Sequence, residues 1–182
     1  MIRTVYLRKL YIDKQLGVVK AMPNNKLKHD TMCNSYVLVC GSIEYMIESI
    51  IRGWLKHNIK KHRYNYPKKK HVDDVIDTLY NNAEVNLYNN HTIDYDKICS
   101  LIKTLAGDQI LFTFKANVRA ASPAGAEATI SALKRISLLR HMLAHGINTT
   151  TELSPNISEL ENDFNTIYKN LVENLDTLLA RR

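Results

Sequence analysis

Arginine and histidine lie five residues apart in the stretch from Arg140 to Gly146, and their types suit chemistry on a phosphate. Arginine presents a fixed, permanently charged fork of donors, so Arg140 could stabilise the charge that builds up on a phosphate during cleavage. Histidine titrates near neutral pH, so His145 could move a proton to or from the attacking or leaving oxygen. Such a pair suits metal-free cutting of RNA, in which the ribose 2′-hydroxyl attacks the neighbouring phosphate.

The same spacing of arginine and histidine also occurs at Arg52 and His57. There a glycine follows the arginine and an asparagine follows the histidine. In the later stretch a polar residue, His141, follows the arginine, a glycine follows the histidine, and an amphipathic helix is predicted beyond it. This context favours Arg140 and His145 as the functional pair.

The sequence holds few groups that suggest a metal or a cofactor. His141 and His145 are four residues apart, but no carboxylate lies at a suitable spacing nearby. Cys33, Cys40 and Cys99 form no CxxC pair, so we expect buried free thiols. No phosphate-binding glycine loop, dinucleotide fingerprint, nucleophile elbow or HExxH motif occurs. We therefore expect no metal and no cofactor.

Helical periodicity dominates the elements that must position these residues. A first helix is predicted within Val5–Met22 and ends before a proline. A long second helix, over about residues 30–58, carries apolar side chains at three- and four-residue steps. Shorter helices are predicted at 72–80, 94–105 and 108–115, and loops at 56–71 and 81–92.

Two late helices complete the pattern. Ser122 and Pro123 predict the start of a helix that runs to about His145. Asn156–Glu159 resembles a capping box before a helix over 157–179 that has one apolar stripe. The sequence thus predicts an all-α fold, a bundle with a long early helix and two paired C-terminal helices, in a single domain over residues 1–182.

The formal net charge of +7 favours polyanionic partners. Basic side chains and tyrosines cluster within residues 56–71, where the former could contact phosphates and the latter stack on unpaired bases. We expect this segment to bind RNA, and the alternative is a solvated basic loop. The residues concerned are Lys60, Lys61, Arg63, Tyr64, Tyr66, Lys68, Lys69 and Lys70.

Two further features concern location. The first ten residues lack a following apolar segment of the kind found in secretory signals. No apolar run approaches the roughly 20 residues that a membrane span needs. We therefore expect a cytoplasmic protein without a membrane partner.

The stretch Arg140–Gly146 resembles the signature of the HEPN superfamily, in which arginine precedes a polar residue, three further residues, histidine and commonly glycine. The polar residue is usually asparagine, so His141 is a mild departure. Residues 37–48 are similar to the early HEPN helix, which is apolar and carries an acidic residue, here Glu44. The RiboL-PSP type is the most similar subgroup. The resemblance covers roughly residues 33–60 and 125–180.

This resemblance implies a HEPN-like bundle and a metal-independent endoribonuclease that cleaves single-stranded or loop RNA. Its catalytic set would be Arg140, His145, His141 and Glu44, with Glu44 either orienting His145 or balancing Arg140. A toxin or phage-defence role, with an antitoxin protein as partner, is implied by the family alone. The rival interpretations are a non-catalytic HEPN module that binds RNA or nucleotide, and a helical adaptor protein.

Helical geometry adds an expectation of a homodimer. On an ideal helix Arg140 and His145 lie about 140° apart and about 7.5 Å along the axis, so one copy converges them poorly. A two-fold contact along a second stripe of the same helix would bring two copies of the motif together. HEPN nucleases are similar in that they commonly build their cleft between two domains. That stripe comprises Ser131, Arg135, Leu138, Met142 and His145. The alternative is that Leu138 and Met142 pack beneath residues 61–121.

Overall fold

A computed structural model describes residues 3–61, 69–82, 94–121, 124–145 and 154–180. All regular secondary structure in these ranges is helical, so the predicted all-α fold is confirmed. The helices are α1 (Arg3–Ala21), α2 (Lys26–Lys61), α3 (Lys69–Asn82), α4 (Tyr95–Ala106), α5 (Asp108–Ala120), α6 (Gly125–Ala144), α7 (Ile157–Ile167) and, after a π-helical segment (Tyr168–Val172), α8 (Glu173–Ala180).

Four helices, α1, α2, α6 and α7, form the frame of the bundle, with the long helix α2 in contact with the other three. Helix α1 packs against α2 and α7, and α6 packs against the same two helices, so the two late helices are paired as predicted. One hydrophobic cluster extends from Val5 in α1 to Leu179 in α8. The apolar stripe predicted for α2 is buried from Tyr36 to Ile51, which fixes the rotation of this helix in the bundle.

Helix α4 begins and ends at residues that the sequence indicates. The Asp94 side chain accepts a hydrogen bond from the backbone N–H of Asp96 at 2.9 Å and caps the helix. Gly107 ends it with a φ of +88°, a conformation that favours glycine. Helix α5 then continues to Ala120, beyond the predicted end at residue 115, because Val118 adds a further buried position.

The start of α7 agrees with the predicted cap but not with the full capping box. The Asn156 side chain accepts hydrogen bonds from the backbone N–H groups of Ser158 and Glu159, at 2.9 and 3.2 Å. The reciprocal bond is replaced, because the Asn156 N–H donates to the Tyr36 hydroxyl at 3.1 Å. The Glu159 carboxylate lies 3.3 Å from Arg135 instead. Residues distant in sequence thus displace the local pattern.

The loop predicted over residues 56–71 is wrong at both of its ends. Helix α2 continues to Lys61 and α3 begins at Lys69, so four of the eight candidate RNA-binding residues are helical. Lysine has a high helix propensity, and a polar composition alone does not end a helix. The other four, Arg63, Tyr64, Tyr66 and Lys68, lie outside the described residues.

Two other predicted boundaries fall partly outside the described residues. Ser122 and Pro123, the predicted start of a helix, lie outside the described residues. The structure begins α6 at Gly125, with Ala124 in the N-cap position and no hydrogen bond from a capping side chain. Most of the asparagine-rich loop predicted over 81–92 also lies outside, although residues 81 and 82 close α3.

Candidate active site on helices α2 and α6

Helix α6 places Arg140 against α2. The core-facing stripe of α6, including Ile136 and Leu139, is buried and sets the rotation of the helix. Arg140 consequently faces α2, and its Nη1 lies 3.7 Å from Oε1 of Glu44. With 18% of its side chain exposed, Arg140 retains some access from solvent. Of the two roles considered for Glu44, the structure supports balancing the charge of Arg140.

Glu44 lies deep in the apolar face of α2, and its side chain is only 4% exposed. Burial raises the pKa of this carboxyl, and the nearby Arg140 opposes the rise. Its buried Oε1 has no hydrogen-bond partner among the described residues. The ion pair of Glu44 with Arg140 therefore leaves one carboxylate oxygen without a hydrogen bond, which costs free energy in a buried position.

The Cys40 thiol lies one turn before Glu44 and faces the same part of α6. Burial, followed by the charge of Glu44, raises the pKa of this thiol to about 12, although the charge of Arg140 and hydrogen bonds with Arg140 and Ser137 oppose the rise. The thiol is therefore protonated at neutral pH and unsuited to act as a nucleophile. Cys99 is buried as well, whereas Cys33 is partly exposed.

The two histidines lie together at the exposed end of α6. The ring centroids of His141 and His145 are 4.5 Å apart. The backbone N–H of His145 donates to the carbonyl of His141 at 3.2 Å, so the chain stays helical through Ala144 and the expected offset from Arg140 persists. Two separate pairs thus lie at the end of α6. Arg140 contacts Glu44 on one side of the helix, and His141 contacts His145 on another.

The alternative pair has a different setting. Arg52 is held by Glu48 at 2.6 Å and by Asp77, and its guanidinium lies 4.7 Å from the Tyr80 ring centroid. It therefore links α2 to α3, and two carboxylates already offset its charge. His57 instead lines a cavity of about 330 Å³ between α2 and α8. The choice of Arg140 over Arg52 rests on the sequence context of each pair and stays a prediction.

One cluster near the site was missed in the sequence. Arg8 of α1 lies between the rings of Tyr11 and Tyr45, and its Nε donates to Ser42. The spacing of Arg8 and Tyr11, three residues apart on one helix, was a weak signal for it. The contribution of Tyr45 depends on the packing of α1 against α2 and has no local signature.

Within the described ranges, no helix is long and apolar enough to cross a membrane. In the same part of the chain, no three histidine, cysteine or acidic side chains come together in a way that could hold a metal ion. Comparisons with protein-family models, curated proteins and solved structures gave no match to this chain.

Proposed function

We propose that the protein is a metal-independent endoribonuclease of the HEPN type that cleaves single-stranded or loop RNA. The observation that supports this most is the end of α6, where a partly exposed arginine and two exposed histidines lie within six residues. In this proposal Arg140 binds the scissile phosphate and Glu44 positions the Arg140 side chain. His145 and His141 transfer the protons.

The proposed reaction requires both a base and an acid. A neutral imidazole accepts the proton of the ribose 2′-hydroxyl as its oxygen attacks phosphorus, and the bond from phosphorus to the 5′-oxygen breaks. A protonated imidazole gives a proton to that leaving oxygen. His141 and His145, with ring centroids 4.5 Å apart, supply two such groups. Arg140 offsets the charge that develops on the phosphate oxygens.

The first expected result concerns the chemistry of the products. Cleavage of a labelled single-stranded RNA should continue in excess EDTA, because no step of the proposed mechanism uses a metal. The products should carry a 2′,3′-cyclic phosphate, or its hydrolysis product, and a 5′-hydroxyl, which mass spectrometry of the fragments can identify. Fragments with 5′-phosphates, or complete loss of cleavage in chelator, would contradict the proposal.

We further propose that the active form is a homodimer joined along the outer stripe of α6. Leu138 in this stripe is 44% exposed and Met142 is partly buried, so Leu138 is accessible to a second copy of the chain. The alternative, in which both side chains pack beneath residues 61–121 of the same chain, involves a region that lies partly outside the described residues. Arg135, by contrast, donates two hydrogen bonds to Asp163, at 2.7 and 2.8 Å, and serves the packing of α6 on α7. The proposed contact therefore centres on Leu138 and Met142, with His145 at its edge.

A paired substitution tests this dimer. Leu138→Glu with Met142→Glu places two like charges in the proposed interface, and we expect a folded monomer with little nuclease activity, although Arg140 and His145 are unchanged. Sedimentation gives the mass, and circular dichroism gives the helical content. The dimer is excluded if the wild-type protein sediments as a monomer at concentrations where it cuts RNA.

One observation favours a second candidate, a non-catalytic module that binds RNA. The Glu44 carboxylate partly offsets the charge of Arg140, and an arginine engaged in this way binds a phosphate less strongly than an uncompensated one. Such a module would bind RNA with strong salt dependence, and its affinity would be indifferent to Arg140 and His145. A role in toxin–antitoxin or phage-defence systems, with an antitoxin as partner, remains a proposal from the family resemblance.

A further inference from the structure

The cluster formed by Arg8, Tyr11, Tyr45 and Ser42, here called the Arg8 cluster, joins α1 to α2. The guanidinium carbon of Arg8 lies 5.5 Å from the ring centroid of Tyr11 and 5.6 Å from that of Tyr45. The Arg8 Nε donates to the Ser42 hydroxyl at 2.9 Å. One planar cation thus holds two aromatic rings from different helices in fixed positions.

Both rings remain open to solvent. Tyr11 is 45% exposed and Tyr45 is 42% exposed, whereas the rings of Tyr36 and Tyr168 are buried in the same bundle. Exposed large rings lose favourable burial, and their clustering on a surface is typical of a binding site. A ring held in place can stack on a ligand with little further loss of conformational freedom.

The charge around the cluster indicates the chemistry of the ligand. Helix α1 carries five basic residues and one acidic residue, a net charge of +4. Two of these cations are already paired, Lys9 with Asp13 at 2.6 Å and Lys20 with Glu161 of α7. The charge available to a partner is that of the other three basic residues, Arg3, Arg8 and Lys14. A partner with a purely apolar surface would gain nothing from this charge, whereas a polyanion would. Planar rings combined with an excess of cations are the features that recognise unpaired bases and their phosphates.

The cluster and the Glu44–Arg140 pair lie at the same level of α2. Glu44 and Tyr45 are consecutive residues of α2. Glu44 contacts Arg140 of α6, and Tyr45 contacts Arg8 of α1. On an ideal helix the two side chains are about 1.5 Å apart along the α2 axis and about 100° apart around it, so a strand stacked on Tyr45 would pass around α2 to reach Arg140.

From this arrangement we propose that the Arg8 cluster is a stacking platform for single-stranded RNA, with Tyr11 and Tyr45 contacting unpaired bases and the exposed Arg3 and Lys14 of α1 contacting the flanking phosphates. The proposal deepens the proposed function and rests on it for the identity of the nucleic acid. Its role is binding and positioning, because none of these residues has a part in the proton transfers.

Binding can be tested without cleavage in the full-length chain carrying His145→Ala. The probe is a fluorescently labelled, unstructured RNA of twelve nucleotides, and the readout is its anisotropy. Replacing Tyr11 and Tyr45 together by serine should weaken binding at least about tenfold, since one stacked base contributes about 1–3 kcal/mol. Replacing both by phenylalanine should retain the affinity, because stacking does not need the hydroxyl groups.

Phe112→Ser provides a matched control, since Phe112 is an aromatic residue of α5 with 76% exposure and lies outside the Arg8 cluster. It should leave the affinity unchanged. A duplex of the same sequence should bind less tightly than the single strand, because its bases are already stacked. Circular dichroism and thermal melting of each variant confirm that the exposed substitutions leave the fold intact.

The proposal is overturned if the double serine variant binds the RNA with wild-type affinity and salt dependence, or if the double phenylalanine variant loses as much affinity as the serine variant. A serine variant that keeps its RNA affinity but changes its mass in sedimentation would assign the surface to protein contacts instead. If the serine substitutions weaken RNA binding but the protein with His145 intact never cuts RNA, the platform is retained and the nuclease is rejected. If the protein cuts RNA and its RNA affinity does not depend on either tyrosine, the nuclease is retained and the platform is rejected.

Discussion

Replacing His145 by alanine is expected to lower the rate of RNA cleavage by about a thousandfold, with little change in stability or RNA affinity. Proton transfer by a positioned side chain contributes about 10²- to 10⁴-fold. His145 is exposed and follows the last residue of α6, so truncating its side chain removes little packing. The measurement is the initial rate of cleavage of a labelled single-stranded RNA in EDTA, together with anisotropy for binding and thermal melting for stability.

Arg140→Ala should also abolish cleavage, but the structure adds a second effect. The substitution removes the counter-charge from the buried Glu44 carboxylate, whose pKa burial already raises. The variant is therefore expected to be less stable than the wild type. A loss of activity in this variant alone would not separate catalysis from folding.

The double variant Arg140→Ala with Glu44→Gln makes that separation. It removes both charges, so stability should recover relative to Arg140→Ala, while cleavage should stay absent because nothing stabilises the phosphate. If the double variant cuts RNA at the wild-type rate, Arg140 has only a structural role. The non-catalytic alternative predicts that the affinity for RNA is unchanged in all these variants.

Arg52→Ala is the matched control for Arg140→Ala, because Arg52 also precedes a histidine by five residues. Because Arg52 connects Glu48 on α2 with Asp77 on α3, its loss should affect stability and leave cleavage nearly unchanged. The opposite pattern, with cleavage lost in Arg52→Ala and His57→Ala but retained in Arg140→Ala and His145→Ala, would show that the wrong pair was chosen.

Much of the fold is predictable from periodicity, because burial in a helical bundle repeats along each helix. Two predicted apolar stripes lie in the core as expected, that of α2 from Tyr36 to Ile51 and that over residues 157–179, which the structure divides into α7, the π-helical segment and α8. The helical ends of the basic segment were missed, since lysine-rich composition does not distinguish a solvated helix from a loop. There the local signals for helix and loop overlap.

The candidate site was less predictable, because its contacts join residues far apart in sequence. The motif identifies Arg140 and His145, but the choice of Glu44 as the partner of Arg140 depends on the packing of α6 against α2. The contact of Arg8 with Tyr45 similarly requires α1 to pack on α2. No spacing within a single helix could reveal either contact.

The second large effect is expected at Gly125, where α5 approaches α6. A methyl group added to Gly125 would overlap the carbonyl oxygen of Val118 and lie 2.7 Å from that of Arg119. Both atoms belong to the backbone of α5, so relief requires one helix to move instead of a side chain to rotate. Gly125→Ala should therefore lower the free energy of unfolding by about 3 kcal/mol, at the upper end of the usual cost of overpacking.

Gly17→Ala is the control, because a methyl group at Gly17, on the exposed side of α1, meets nothing within 4 Å. Alanine is the better helix former by about 1 kcal/mol, so this change should stabilise the protein. Urea unfolding followed by circular dichroism measures both variants. Equal stability of Gly125→Ala and wild type would mean that α5 and α6 are not in close contact here. Since α6 also carries Arg140, the helix displacement that makes room for the added methyl group in Gly125→Ala should lower cleavage more than Gly17→Ala does.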